Sequence, residues 1–435
     1  MSNQKKQWGA IIVMIALFAM IAFVTNLCTP MATIIKNQPG GVSNVLAQIG
    51  NYGNFIAYLV MGIPAGMLLK KIGYKNTALA ALLVGIVGIL IQWLSGKAEN
   101  INTAFAIYLV GAFIAGLCMC MLNTVVNPML NILGGGGNKG NQLIQIGGVF
   151  NSTAAVAVYI LMGALIGDAT KAHIADATPA LMIAIAIFAI GFIVILFTKI
   201  QEPEQGKEVK SDKKDKYSAF SFRHFKLGIL AIFLYMGIEV GVPNFIQQYL
   251  TSQPADATPG LGMDAGIAGL IVAVYWLMML IGRFVGGAIG GKVSSKTMLT
   301  VVSCASIVLI LFGMFAPTDW QVNVPGIDWA NVELIWAQVP VGIFAFLLVG
   351  LCTSVMWGGI FNLAVEGLGK YTSVASGAFM TMVFGCAVMM AIQAGVADLT
   401  GSYMASYIVV LFCAAYLLFY ALVGSKNVNK DIPTE

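Results

Sequence analysis

Long apolar runs separated by short polar stretches organise the 435-residue chain. About 20 apolar residues in a helix cross the hydrocarbon core of a bilayer. Twelve runs meet that length, at roughly 9–35, 45–69, 77–95, 102–133, 143–167, 178–200, 225–251, 265–290, 297–316, 336–366, 373–398 and 401–424. Several are longer than a crossing requires, which implies tilt or extension past the membrane. The longest polar stretch, "QEPEQGKEVKSDKKDKYSAFSFRHFK" at 201–226, falls between the sixth and seventh runs. The pattern therefore predicts an all-α integral membrane protein built as two pseudo-symmetric six-helix bundles. Their bounds are 1–200 and 225–435, with a linker over 201–224 and a short tail. The other long connection, "APTDWQVNVPGIDWANVE", reads as a surface loop.

Composition supports lipid as the main solvent. Hydrophobic residues make up 59% of the chain and charged residues 9%, against about 25% charged in soluble domains. A larger core does not account for the deficit, because single cores stop growing near about 250–300 residues. The seven cysteines, Cys28, Cys118, Cys120, Cys304, Cys352, Cys386 and Cys413, all sit in apolar runs at no metal-site spacing, and read as reduced packing residues. The N-terminal "MSNQKKQWGA" enters its apolar run without an A-x-A-like cleavage site, so the first run is expected to be a retained span.

Charge decides the orientation. With the N-terminus inside, 19 Lys and Arg residues fall in inner segments, and only Lys36, Lys97 and Lys171 fall in outer ones. The excess of basic residues in cytoplasmic loops predicts that both termini face the cytoplasm, in a bacterial-type inner membrane. The net charge of +5 is then a topology signal, and no nucleic-acid partner is expected.

Glycine-rich stretches raise a second reading. Gly135, Gly137 and Gly140 in "GGGGNKG" satisfy G-x-G-x-x-G. A dinucleotide fingerprint requires a preceding strand and an acidic residue about 20 positions later. Here a helical run precedes the glycines, and the next acid is Asp168. "GGAIGGKV" has Val293 where a P-loop needs Ser or Thr. Neither holds a nucleotide; the first reads as a mobile turn. The chain also repeats itself. Gly66, Lys71 and Lys75 follow the second run, and Gly287, Lys292 and Lys296 follow the eighth at identical spacings. Runs four and ten share "GLC" at Gly116 and Gly350. Duplicated halves of this kind are built by many transporters.

Twelve spans, a central linker and a repeated basic motif resemble the major facilitator superfamily. "IPAGMLLKKIGYK", "NTVVNPMLNILG", "FLYMGIEVGVPNFIQQYL", "YWLMMLIGRFVGG" and "GVADLTG" are similar to the fucose:proton symporter family, including its glucose/galactose branch. The resemblance implies a gate on the inner side, for which Lys70, Lys71, Lys75, Arg283, Lys292 and Lys296 are the candidates. It also carries departures. Lys70 stands where the loop signature has an acid, Thr29 or Pro30 where the fucose type has an Asp, and Asn123 where it has a Glu. Proton coupling through those acids is therefore not inherited.

The residues themselves point to a site. Glu239 is the only carboxylate near the middle of any apolar run. A carboxylate at that depth costs about 2.5 kcal/mol or more, so it should face water or a partner. It is expected to bind a sugar hydroxyl, H⁺ or Na⁺, the alternative being a structural, paired Glu. Asn123, Asn127 and Asn131 form a stripe on run four beside Pro128, and Asn151 lies at mid-depth on run five. Asn26 and Asn54 come from runs one and two, and Asn244 and Gln247 follow Pro243 on run seven. Pro243 is expected to break or bend its helix and present them to a cavity. Tyr275, Trp276 and Trp357 add central aromatics; for any one of them, simple helix packing is the competing reading. Neutral amides, one carboxylate and indole rings suit a neutral polyhydroxylated solute. An anion would call for a buried cation, and Arg283 lies toward the inner end of its run.

These readings predict a secondary active transporter that imports a monosaccharide, a hexose, with Na⁺ or H⁺ as coupling ion. It would need no cofactor, sit in the bilayer and act as a monomer. The alternatives are a facilitative uniporter or a carrier of another neutral solute such as a disaccharide. A membrane enzyme would need an acid/base partner for Glu239, and His173 and His224 lie in or beside loops. A sensor would need an output domain, which the tail "GSKNVNKDIPTE" is expected to be too short to form.

Overall fold

The computed structural model describes residues 7–38, 42–134, 137–166, 170–200, 217–289, 293–328, 333–429 and 431–433. Twelve helices within them are long and apolar enough to cross a membrane. We number these spans one to twelve: Trp8–Lys36, Ile49–Leu69, Lys71–Ser95, Ile101–Leu130, Leu143–Ile166, Ile174–Phe197, Arg223–Thr251, Ala265–Ile289, Ser295–Phe315, Val341–Val365, Gly377–Thr400 and Tyr403–Gly424. With six crossings in each set, the start of span one, the junction of spans six and seven and the end of span twelve share one end of the bundle, here the linker end. The opposite end is the far end.

Three boundaries differ from the hydropathy reading, each for a local reason. Spans two and three have no loop between them: the helix turns at Gly73, whose φ of 82° belongs to the left-handed region that glycine tolerates. Before span two, residues Asn44–Ala47 form a separate short helix, with the Ser43 hydroxyl accepting from Leu46 N–H at 3.1 Å. Span ten begins at Val341 and not at 336, because the expected surface loop is an antiparallel hairpin of β1 (Gln321–Asp328) and β2 (Glu333–Pro340). Its register pairs Val322 with Val339 and Val324 with Ala337. That alternation gives one apolar face, and the hairpin lies against span eight where Gly326 meets Ile267.

Close helix approach rests on small residues. A methyl group at Gly116 would overlap the Asn54 carbonyl oxygen, and one at Gly350 would overlap that of Tyr275. The repeated "GLC" positions thus perform the same packing role: span four against span two, and span ten against span eight. The two sets of six meet along spans five and eight and along spans two and eleven, and polar side chains converge at that seam.

Candidate substrate and ion site

Glu239 lies sixteen residues from the start of span seven and twelve from its end, near mid-depth. Of the break or bend expected at Pro243, the break does not occur: Arg223–Thr251 is continuous through it. Proline has no N–H to give the carbonyl four residues earlier, so the residue whose carbonyl lacks its helical donor is Glu239 itself. One residue therefore offers a carboxylate and a freed carbonyl at the same level. Arg283 of span eight reaches it, with Nη2 3.9 Å from Oε1 and both side chains 14% exposed. Helical side chains lean toward their own N-termini, and spans seven and eight run oppositely, so the two groups converge.

Arg283, toward the inner end of span eight, reaches across the seam between the two sets of spans. Its Nη1 donates to the Gly148 carbonyl, to Ser152 Oγ at 2.8 Å and to Asn151 Oδ1 at 3.4 Å, all on span five. The guanidinium bridges the two sets of spans and is offset by Glu239, which leaves it poorly suited to hold an anionic substrate. The other titratable side chains facing Glu239 are Tyr235, Tyr275 and Cys386. Thr353 of span ten anchors both phenols: its carbonyl accepts from Tyr235 at 3.3 Å, and its hydroxyl bonds Tyr275 at 3.1 Å. Trp357 packs on Tyr235 and Phe379, with ring centroids 6.1 and 5.5 Å apart.

A second polar layer lies toward the far end. Asn244 donates to Thr29 Oγ1 at 3.2 Å and accepts from Gln48 Nε2 at 2.7 Å, while Asn51 donates to Gln48 Oε1 at 2.8 Å. Gln247 donates to the Ala265 carbonyl at 3.3 Å, and its Oε1 is buried without a partner. The Tyr159 hydroxyl lies between Thr29 and the Trp276 indole, and neither it nor Trp276 Nε1 has a well-formed hydrogen bond. A cavity of about 10 Å³ lined by Pro30, Tyr159 and Gln247 has room for about one water. In this conformation the layer is closed around itself.

The remaining amides bond mainly within their own helices. Asn26 donates to the Ala22 carbonyl, and Asn127 to that of Asn123. Asn123 donates to Met119 O and, across to span two, to the Tyr58 hydroxyl at 2.9 Å. Asn151 donates to the Phe18 carbonyl at 2.9 Å. Asn54 is 2% exposed with neither amide atom bonded. The side chains of Asn131 and Lys70, Gly135, Asp168 and Lys292 lie outside the described residues. Among the remaining gate candidates, Lys71 and Lys296 are exposed. Lys75 donates to the Leu196 and Thr198 carbonyls at 2.9 Å each, closing the end of span six.

Sequence reasoning passed over Gln48, Tyr159, Ser152 and Thr353. Each lies within a long apolar run, and nothing in its spacing distinguishes it from a packing residue.

Residues 10–391 match the family model of the Major Facilitator Superfamily. The chain belongs to this superfamily. It is 30% identical over 436 residues to the glucose/galactose transporter of Brucella abortus biovar 1 (strain 9-941), covering 98% of this chain and 96% of that protein. It is 22% identical to the L-fucose-proton symporter of Escherichia coli (strain K12), covering 89% and 86%. Among solved structures, a single-residue variant of the E. coli fucose:proton symporter superposes with a TM-score of 0.69 at 20% identity, over 97% of this chain and 100% of that one. A D-xylose-proton symporter gives 0.71 at 11% identity, over 96% and 99%. The family resemblance drawn from the motifs stands. The superfamily's relatives are transporters and not enzymes, and the twelve spans make this a multi-pass membrane protein.

Proposed function

We propose that this protein imports a monosaccharide, a hexose, across a cytoplasmic membrane by alternating access, driven by Na⁺ or H⁺ bound at Glu239. The observation that carries the reading is the mid-membrane Glu239, incompletely paired at 3.9 Å from Arg283 and bordered by neutral phenols, amides and indoles. A carboxylate at that depth needs a cationic partner; Arg283 at 3.9 Å and the neighbouring Tyr235 hydroxyl leave lone pairs on its two oxygens that can accept one more cation. The carbonyl freed by Pro243 adds a ligand for Na⁺, which binds oxygen donors as other hard cations do. Thr29 or Pro30, and Asn123, stand where the fucose type carries acids, so Glu239 takes over the ion linkage. The sugar contacts are assigned to Asn26, Asn54, Asn123, Asn127, Asn151, Asn244, Gln247, Tyr275, Trp276 and Trp357, with apolar sugar faces on the indoles and hydroxyls on the amides. The names of the relatives, glucose/galactose and L-fucose transporters, support a hexose. The basic bias of the linker-end segments supports cytoplasmic termini. Residues 1–200 and 225–435 would rock as monomer halves about the 201–224 linker.

The test is uptake of labelled glucose, galactose, mannose and fucose into proteoliposomes under an inward Na⁺ gradient, an inward H⁺ gradient, and neither. One gradient should drive accumulation of at least one hexose. Glu239→Gln should abolish that accumulation and retain sugar exchange. Accumulation by Glu239→Gln would remove the assigned role. Equilibration by the wild type without accumulation would make the protein a uniporter.

A further inference from the structure

The far end is sealed by one side chain more than by any other. Asn44, in the short helix before span two, is 2% exposed and inserts among residues of the last six spans. Its Nδ2 donates to Asp398 Oδ1 at 2.6 Å and to Thr258 Oγ1 at 3.0 Å. Its Oδ1 accepts from the Tyr403 hydroxyl at 2.7 Å. Its backbone N–H and that of Val45 donate to the two oxygens of the same Asp398 carboxylate, at 3.1 Å each. Lys36 of span one donates to Asn44 Oδ1 and to Tyr403, whose hydroxyl also bonds Ser252 at 2.7 Å. Donor and acceptor of one amide are thus both satisfied by the opposite set of spans, and at Asp398 the bonds are charge-assisted, the stronger kind. Further side-chain bonds between the sets lie in the Gln48–Asn244–Thr29 layer just below and at Arg283.

We propose that Asn44 is the latch of the far-end gate, and that the Asp398–Thr258–Tyr403 socket must release it before the central site opens on that side. The short helix links latch to site. Asn44 is at its start, and Gln48, which follows its end, holds Asn244. Withdrawal of Asn44 therefore carries Gln48 off the polar layer, so that gate opening and exposure of the amides are one movement. Seating the amide keeps water from Lys36 and from part of Asp398, so closure is favourable only with every partner present. Removing the amide leaves Asp398, Tyr403 and Lys36 short of partners in the closed state alone, and the equilibrium moves toward the state that hydrates them.

The latch rests on the proposed sugar transport only for its kinetic readout, so the primary test needs no sugar. Thr29→Cys places a thiol on the buried side of the gate, where Thr29 meets Asn244. The purified full-length variant, in a Cys28→Ala background, is labelled in detergent with a water-soluble maleimide, and modification at position 29 is followed by mass spectrometry of its peptide. Adding Asn44→Ala should raise the labelling rate tenfold or more, and Asp398→Asn should raise it severalfold. Ser43→Ala removes the cap inside the short helix but no bond between the sets, and should change the rate less than twofold. Monodispersity on gel filtration shows that each variant is folded. Unchanged labelling in both folded latch variants, or an equal rise in Ser43→Ala, would overturn the latch. If the hexose reading holds, Asn44→Ala should also lower KM for sugar presented at the far end and lower turnover. Loss of transport in the wild type would count against the substrate and leave the labelling result standing.

Discussion

Removing Arg283 should hurt the fold more than removing Glu239, and removing both should hurt less than removing Arg283 alone. At 3.9 Å, unit charges attract by about 4 kcal/mol at an effective dielectric of about 20 and about 1 kcal/mol at about 80. With 14% exposure on both sides, the pair belongs between these limits, near about 2 kcal/mol or roughly 30-fold in an equilibrium constant. The two partners are not equivalent. In Glu239→Gln the guanidinium keeps three acceptors on span five, and the cost should be about 1 kcal/mol. In Arg283→Gln the carboxylate is left at mid-depth without its cation, a change worth about 3 kcal/mol in buried pairs. The double variant has no orphaned charge and should regain about 2 kcal/mol over simple addition. Folded fraction against SDS in mixed micelles, followed by tryptophan fluorescence, measures all four corners of the cycle. Additivity within about 0.5 kcal/mol would refute the pairing, and equal losses in the two single variants would refute the asymmetry assigned to span five.

Three backbone and packing predictions accompany it. Gly116→Ala must push span four off the Asn54 carbonyl and should prevent stable folding, while Gly66→Ala, with nothing within 4 Å of the added carbon, should be neutral or slightly stabilising in the same titration. Gly73→Ala forces a side chain into the left-handed region at φ 82° and should cost about 1–2 kcal/mol. Lys75→Met loses two bonds to the end of span six, about 1 kcal/mol in all after allowing for its partial exposure. It should leave the ion dependence of transport unchanged, which proteoliposome uptake would verify.

The same chain shows where sequence reading succeeds and where it stops. Hydropathy located all twelve spans to within a few residues, because a crossing helix must be apolar over its whole length and satisfy its backbone internally. Its errors fell where that constraint is lifted. Residues 336–340 are apolar enough to extend span ten, yet they belong to a strand that pairs with β1. Pro243 is expected to break or bend its helix, and the helix is not broken there: Arg223–Thr251 runs through it. Arg283 lies toward the inner end of its run, and the reach of its long side chain is what brings it to Glu239.

Depth along a helix is a one-dimensional property, and the sequence by itself determined it: which segments cross, which ends share a side, and that Glu239 is a carboxylate near mid-membrane. Which residues meet depends on the rotation of each helix and the packing of the two sets of spans, and no periodicity in an almost wholly apolar chain encodes that. Only the tertiary structure brought Arg283 to Glu239, joined Gln48 to Asn244, and set Asn44 in a socket made by residues more than two hundred positions away. Apolar surface is interchangeable among many helix arrangements, whereas a buried amide or carboxylate is satisfied by few. The polar contacts at the seam are therefore the part of this protein that its folded form alone decided.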